Sequence, residues 1–401
     1  CHHANKRWKK DKEKMLAVIV DGATPPVPVF VPRLDIWYNR NRARGTLPEG
    51  FRDLSLEAVA EKLDVGMHAV VPDFLRTATE DDSIHRVLGF TNNPEFPYEL
   101  DFSAVDFEVA KTETELRVIY HPPDGDVTAA CVRGTEFLKS GASIPDITEH
   151  AIKSHDDYLR VSQILENVKV KPAPDAYRKY HQRIGERGIA VAFLSLAAGP
   201  MQHIMRDLRR YEAFCLDQYD CPGKIQPLTA VLADIYDAVI DSVLQSCAEV
   251  VLFGANYDET ITYPPFFKDH IMPWLNSAAD RLHTAGKKLL THTDGENQGL
   301  LPLLRQCRFD VADSVCPAPM TKVALQEYRS ILPDTVTIWG GIPSNLLLQQ
   351  TCSEADFRAF MQDILRDCRP YDRLILSIAD TTPPDAVFDR IRYIRDVCSE
   401  N

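Results

Sequence analysis

The sequence has no long hydrophobic run. A bilayer-spanning helix needs about 18 or more consecutive apolar residues, and the longest apolar stretches here, such as residues 189–198, reach about half of that. Residues 1–15 are basic and lack the apolar core of a secretory signal. We therefore expect a protein that neither spans a membrane nor is exported.

Basic residues are fewer than acidic ones, and the cysteines do not occur in close pairs. Lys and Arg number 45 against 58 Asp and Glu, a formal net charge of −13, which disfavours nucleic acid or an anionic membrane as a partner. The 10 cysteines are scattered without a CxxC pair and are too sparse for a disulfide-stabilised secreted domain. The composition therefore predicts a cytoplasmic protein.

Glycine-rich nucleotide-binding motifs are also missing. No GxGxxG follows the first apolar run and no GxxxxGK[ST] occurs, so an open doubly wound sheet with a nucleotide site lacks support. The sequence instead contains eight short apolar runs that alternate with longer amphipathic segments, the pattern of βα units. The runs are residues 27–33, 68–74, 189–197, 249–256, 288–293, 310–315, 335–341 and 373–380. They predict an α/β fold, a (β/α)8 TIM barrel.

The long gap between the second and third runs interrupts this pattern. It contains an alternating segment at residues 115–120 and the turn-like sequence HPPDGD at 121–126. We predict an insertion at about 100–170 with a small antiparallel sheet, followed by helices around 147–167. Proline and glycine mark no linker, so residues 1–401 are predicted to form one barrel domain.

The densest cluster of ionisable residues, THTDGE at 291–296, directly follows the apolar residues 288–290 of the fifth run. Active sites of such barrels lie at the carboxyl ends of the strands, and His292 and Asp294 are two residues apart, so their side chains point the same way. An imidazole and a carboxylate suit zinc, with Cys316 or Asp380 as a further ligand. Two alternatives stay open: a metal-free acid–base pair in which Asp294 or Asp313 orients His292, or a loop histidine beside an Asp294–Gly295 turn.

Other polar and aromatic residues at the same predicted rim are candidates for binding a substrate. Arg33 closes the first run and can clamp a carboxylate, or form a surface ion pair with Asp35. Asp73, near the end of the second run, is a candidate catalytic proton donor. The candidate substrate-binding residues are Arg33, Asp35, Trp37, Asn256, Tyr257 and Glu296.

Several motifs in this order resemble those of a known superfamily. They are FGANYDE, PPFFKDHIMPW, GKKLLTHTDG, WGGIP and LSIADTTPP, with HPPDG and residues 150–158 upstream. The sequence is similar to the uroporphyrinogen decarboxylase superfamily, which also contains the corrinoid-dependent methyltransferases. The resemblance covers most of the chain and implies a single (β/α)8 barrel with its cleft at the strand carboxyl ends.

The resemblance is closer to the methyltransferase branch. True uroporphyrinogen decarboxylases carry a second arginine four residues after the first, where this chain has Trp37, and a histidine at the last strand, where it reads Ser377-Ile-Ala-Asp380. The methyltransferase branch builds a zinc site from H-x-C and a later Cys. His292 matches its first position, Asp294 stands in place of the first Cys, and Asp380 lies near the second.

The resemblance implies transfer of a methyl group from a small, O-methylated substrate to the Co(I) of a corrinoid held by a partner protein. His292, or a metal such as zinc, would stabilise the leaving alkoxide. Two other classes remain: a decarboxylase or lyase of a small carboxylate or porphyrin-like substrate, using Arg33 as clamp and Asp73 or His292 as proton donor, and a non-catalytic ligand-binding member. The sequence leaves the oligomeric state open, a homodimer included.

Overall fold

The computed structural model describes residues 11–70, 84–140, 142 and 144–400, with the side chain of residue 400 left out. The chain divides into two compact units. The first contains the described residues up to Val70, Tyr180–Val191 and the described residues from Ala248 onward. The second contains the described residues from 84 to 179 and Ala192–Cys247. The single-domain organisation stays a prediction.

A parallel sheet has eight strands, seven of them in the first unit, and the strand β9 begins in the first unit and ends in the second. Its strands are β1 (Val29–Phe30), β2 (Met67–Val70), β9 (Gly188–Ser195), β10 (Val250–Ala255), β11 (Lys288–His292), β12 (Val311–Val315), β13 (Thr337–Pro343) and β14 (Leu374–Ala379). They pair in the order β1-β14-β13-β12-β11-β10-β9-β2, which is the chain order of a (β/α)8 fold. Each predicted run overlaps one strand, so the predicted α/β barrel-type fold is confirmed.

The composition of these strands explains their position. Every residue of β10, β12, β13 and β14 is buried, as expected for strands that are covered on both faces and therefore hydrophobic on both. The register places Ala255 beside His292 and His292 beside Asp313. Side chains from three neighbouring strands therefore meet at one end of the sheet.

Helices follow most of these strands. Met272–Thr284 is representative: Leu275, Ala278 and Leu282 are buried at helical spacing, and the helix ends just before Gly286, which has a φ of 71°. The other helices of this unit are Asp35–Arg44, Leu56–Leu63, Pro264–Phe266, Leu301–Leu304, Leu325–Ile331, Glu354–Asp367 and Phe388–Glu400, with π-helical turns at Ala17–Asp21 and Phe267–Ile271 and 3₁₀ turns at Gly185–Arg187, Gln298–Leu300 and Ser344–Leu347. Pro174–Ile184 begins in the second unit and ends in the first.

The second unit contains the predicted antiparallel sheet. Its four strands are β4 (Phe107–Lys111), β5 (Glu115–Tyr120), β6 (Val127–Val132) and β7 (Ile147–Glu149), and β3 (Tyr98–Asp101) pairs separately with β8 (Lys169–Pro172). Buried and partly exposed residues alternate along β5, and the HPPDGD turn joins it to β6. The sheet lies between the second and third barrel strands in the chain, as predicted.

The helices of the second unit differ in one place from the prediction. Ile147–Glu149 pairs with β6 as a strand, so the helix predicted from 147 begins only at Asp157 and ends at Leu165. The other helices are Thr135–Lys139, Pro200–His203, Tyr211–Asp220 and Pro222–Leu244, with a π-helical turn at Ile204–Leu208. None of the described helices combines the length and the apolar character required to cross a bilayer.

Candidate active site

His292 lies between two aspartates at the carboxyl end of the parallel sheet. It is the last residue of β11, and its side chain is 7% exposed. Its Nδ1 lies 2.7 Å from Oδ2 of Asp313, and its Nε2 lies 2.8 Å from Oδ1 of Asp380. Both ring nitrogens therefore face carboxylate oxygens, an arrangement that fits a doubly protonated ring donating twice.

A second histidine orients Asp313 from the other side. Nε2 of His68, in β2, lies 3.0 Å from Oδ1 of Asp313, so each oxygen of that carboxylate faces an imidazole nitrogen. The ring of His68 packs against Trp339 at a centroid distance of 4.2 Å. Its Nδ1 is buried and has no hydrogen-bond partner within the described part of the chain. Asp313 is thus fixed by two rings, and it fixes His292 in turn.

These contacts control the charge of His292. Burial by itself lowers the pKa of the ring, but the charge of Asp380 and the hydrogen bonds to Asp313 and Asp380 raise it to about 10. Burial works against the charge of Asp313 as well, yet His68 and His292 hold the pKa of that carboxyl well below its usual range. At neutral pH the pair is an imidazolium and a carboxylate.

Asp294 and Asp380 are two carboxyls with opposite pKa shifts. Burial, and then the charge of Asp380, raises the pKa of Asp294. Burial also opposes ionisation of Asp380, but His292 and Arg33 lower its pKa. Two acidic groups whose pKa values are driven apart are the usual arrangement of a proton donor and a proton acceptor. Asp380 also has a side chain that is 40% exposed, so it opens the cluster to solvent.

The loop that carries Asp294 is fixed at its next residue. Gly295 has a φ of 119°, and a Cβ added there would lie 2.6 Å from the carbonyl oxygen of Tyr257, so only glycine fits. Before it, the Thr293 N–H donates to the carbonyl oxygen of Asp313 at 2.7 Å. Asp294 is therefore held close to His292 by backbone contacts on both sides.

Three of the predicted ligands meet closely enough to hold a cation. One ligand atom each from His292, Asp294 and Asp380 lies within 4.8 Å of the others. Nδ1 of His292 faces Asp313, which directs Nε2 towards the two carboxylates, as in metal sites where a carboxylate orients the ligating histidine. The donors are one imidazole and two carboxylates, a set that suits zinc or a similar divalent ion. The residues present therefore fit the metal that the resemblance implies.

Cys316, the other predicted ligand, is not part of this group among the described residues. It follows β12 and is buried, and burial, followed by the charge of Asp294, raises the pKa of its thiol to about 12. A thiol with such a pKa stays protonated at neutral pH. The sequence left the further ligand open between Cys316 and Asp380, and the geometry favours Asp380.

Arg33 is engaged with Asp35. The guanidinium is buried and binds both carboxylate oxygens of Asp35, at 3.1 and 3.2 Å. Burial by itself lowers the pKa of Arg33, but the negative charges of Asp35 and then Asp380 raise it by more. The guanidinium is therefore charged. The carbonyl oxygen of Arg33 accepts a hydrogen bond from the Thr382 N–H at 3.1 Å, which connects the segment after β1 to the segment that carries Asp380. Arg33, which the decarboxylase alternative requires for binding a substrate carboxylate, thus already binds the carboxylate of Asp35.

The remaining predicted substrate-binding residues differ in exposure. Trp37 is buried and stacks on Phe388, and Tyr257 is buried with its hydroxyl 2.7 Å from Oγ1 of Thr291. Asn256 is exposed at a φ of 59°, and its N–H donates to the carbonyl oxygen of His292 at 3.0 Å. Asn256 is the member of this set whose side chain is open to a ligand.

Glu296 and Asp73 complete the predicted residues. Glu296 is partly exposed and its carboxylate accepts hydrogen bonds from the backbone N–H groups of Gln298 and Lys322. Asp73 lies outside the described residues, so its catalytic role stays a prediction.

His68 is the residue that the sequence reasoning missed. The predicted site residues all lie at or after the carboxyl ends of the predicted strands, whereas His68 is the second residue of β2. A polar residue inside an otherwise apolar run of a parallel sheet was the available signal, because such strands are normally hydrophobic on both faces.

The chain was also compared with known proteins. No family model matches it, and a search of curated protein sequences gives no significant match. Among solved structures it is similar to a methyltransferase from Methanosarcina mazei, with a TM-score of 0.52 over 97% of this chain and 98% of that one, at 13% sequence identity. At that identity the likeness shows a shared fold.

Proposed function

We propose that this chain is a methyltransferase that moves a methyl group from a small, O-methylated substrate to the corrinoid of a partner protein. The observation that carries the proposal is the position of His292 between Asp313 and Asp380, with Asp294 beside them, at the carboxyl end of the barrel strands. The likeness of the fold to a methyltransferase supports the same reaction class.

The reaction breaks the C–O bond of the donor and forms a Co–C bond with the electron pair of Co(I). The leaving oxygen then needs a proton. The imidazolium of His292 and the carboxyl of Asp294, whose pKa is raised by burial and by Asp380, are the acids of this cluster. Asp380 opens the cluster towards solvent, and Asp313 with His68 keeps the ring of His292 in place.

A bound cation would be held by His292, Asp294 and Asp380 and would supply Lewis-acid stabilisation of the leaving oxygen. The chain offers no thiolate in that set, so it favours activation of an oxygen over activation of a sulfur. Asn256, whose side chain is exposed and whose N–H donates to the carbonyl oxygen of His292, would bind an oxygen of the substrate.

The test is methyl transfer to free cob(I)alamin from a panel of methanol and small methoxylated compounds. We expect the wild-type protein to methylate the corrinoid with at least one donor, and we expect His292→Ala to lower the rate by at least about 10²-fold, the usual contribution of an acid at the reacting atom. The rate is followed by the absorbance change of the corrinoid. Metal analysis of untagged protein shows whether a proton or a cation acts at the leaving oxygen.

His283→Ala is the matched control, because His283 is a partly exposed histidine of the same unit that pairs with Asp310. It should keep nearly the wild-type rate. Failure of every donor in the panel, or a His292→Ala rate equal to that of the control, would refute the proposed reaction.

A further inference from the structure

A second cluster of metal-ligating residue types lies in the second unit, where three helices begin or end. His155 lies just before the helix Asp157–Leu165, and Asp217 lies in the last turn of the helix Tyr211–Asp220. Cys221 lies between that helix and Pro222–Leu244. One ligand atom from each of the three residues lies within 4.8 Å of the others.

Asp217 is held in a fixed orientation. Its Oδ2 accepts hydrogen bonds from Nε of Arg209 and from the hydroxyl of Tyr158, both at 2.9 Å, while its Oδ1 lies 2.9 Å from Nε2 of His155. The carboxylate is buried, so these partners set its direction. Ligating carboxylates in metal sites are held by outer hydrogen bonds in the same way.

We propose that His155, Asp217 and Cys221 form a binding site for a borderline-soft divalent cation of the zinc class, with solvent in the fourth position. Tetrahedral ligands at about 2.0–2.3 Å from an ion lie roughly 3.3–3.8 Å from one another. The His155 and Asp217 atoms, now 2.9 Å apart, need to separate by only about half an ångström. The side chain of His155 is 51% exposed and can make that movement.

The donor set selects the type of ion. A thiolate and an imidazole favour zinc over magnesium or calcium, which prefer oxygen ligands. Burial, and then the charges of Asp217 and Asp220, raises the pKa of the Cys221 thiol, so the free protein holds a proton there. Binding forms the metal–sulfur bond and releases that proton to solvent. Arg209 lies on the far oxygen of Asp217, so its charge weakens cation binding without occupying the ligating oxygen.

The sulfur of Cys221 distinguishes the ligands of this site from those of the cluster around His292. That cluster offers one imidazole and two carboxylates, so a cation bound there has no thiolate ligand. The proposal is therefore independent of the proposed methyl transfer, and the two sites can be measured separately in one protein.

The test is titration of the chelator-treated full chain with Co²⁺, which reports a thiolate ligand by a cobalt–sulfur charge-transfer absorption. We expect this band in the wild-type protein and its loss in Cys221→Ser. His155→Ala, a change at an exposed side chain, should keep the fold and lower the Co²⁺ affinity by at least about tenfold, since even outer-sphere partners of a ligand are worth that much. Far-ultraviolet circular dichroism checks folding of each variant.

Two cysteine variants serve as controls. Cys215 lies on the helix that carries Asp217, and Cys316 is close enough to the His292 cluster for the charges of Asp294 and Asp380 to act on it. Both Cys215→Ser and Cys316→Ser should keep the band. Four results would each overturn the proposal. The wild type lacks the charge-transfer band, Cys221→Ser keeps the band, Cys316→Ser loses the band, or His155→Ala binds Co²⁺ with unchanged affinity.

Discussion

The clusters around His292 and His155 contain the same kind of contact in opposite surroundings. In each, a histidine nitrogen lies 2.8–2.9 Å from an aspartate oxygen. The side chain of His292 is 7% exposed and faces two carboxylates, whereas that of His155 is 51% exposed and faces one, which Arg209 also binds. The scaffold differs as well, since strand ends hold the first and helix ends hold the second.

Equal distances in such different surroundings lead us to expect unequal contributions to stability. An exposed pair gains little because water solvates both partners when they separate. Removing one partner of a buried pair leaves a charge without solvation, which costs several times more. The comparison therefore predicts a ranking of effects on the free energy of unfolding, which the following substitutions test in chelator-treated protein.

The largest effect is expected for Asp313→Asn. This change removes the buried carboxylate between His68 and His292 while keeping its shape. We expect the free energy of unfolding to fall by about 3 kcal/mol, the low end for breaking a buried ion pair. Urea-induced unfolding followed by circular dichroism at pH 7 measures it.

Asp280→Asn is the control for that measurement, because Asp280 forms an exposed ion pair with Arg308. It should cost less than about 1 kcal/mol. If the two variants lose the same stability, burial does not distinguish these contacts.

A carboxylate–histidine pair of intermediate exposure, Glu249 with His181, gives the second prediction. The side chain of Glu249 is 31% exposed, and it also binds Lys12. Burial opposes its ionisation, but hydrogen bonds from His181 and Lys12 lower its pKa to about 2. After allowance for solvent screening, we expect Glu249→Gln to cost about 1–2 kcal/mol at pH 7.

The pH dependence of that effect has a definite sign. A carboxyl whose pKa is lower in the folded chain stabilises it fully above its unfolded value of about 4.3, and this contribution is lost as the pH falls towards the folded value. The difference between wild type and Glu249→Gln should therefore shrink between pH 5 and pH 3 in urea titrations. A difference that is constant over this range would show that the charge of Glu249 is not its source.

The smallest effect is expected for His155→Ala without added metal. The exposed contact with Asp217 should contribute no more than about 0.5 kcal/mol, because Arg209 and Tyr158 still bind the carboxylate. Urea unfolding in a chelating buffer measures it. A loss as large as that of Asp313→Asn would reverse the ranking.

The sequence predicted the strands well because their burial leaves a strong pattern. Strands covered on both faces are mostly apolar, and each predicted run overlaps one of them. The end of each run was less exact. β1 is two residues long within a predicted run of seven, and Pro28 and Pro32, which lack a backbone N–H, lie on either side of it.

The candidate site was predicted in part. Polar residues at strand ends pointed to His292, Asp294 and Asp380, since parallel strands bring their carboxyl ends to one side. Local sequence could not show that Asp380 and not Cys316 would join the other two, because that choice depends on how the loops after β12 and β14 lie. Nor could it show that Trp37 would stack on Phe388, a residue at the far end of the chain.

The contacts around Trp339 have a consequence for the order in which the chain folds. Its indole Nε1–H donates to the carbonyl oxygen of Val31 across 308 residues of sequence, and its ring packs on His68, which reaches Asp313 across 245 residues. Forming a contact between residues so far apart in sequence requires closing a long loop, and the entropy lost in that closure opposes the contact. We therefore expect the His292 cluster to be completed late in folding, after the strands between β2 and β12 have paired.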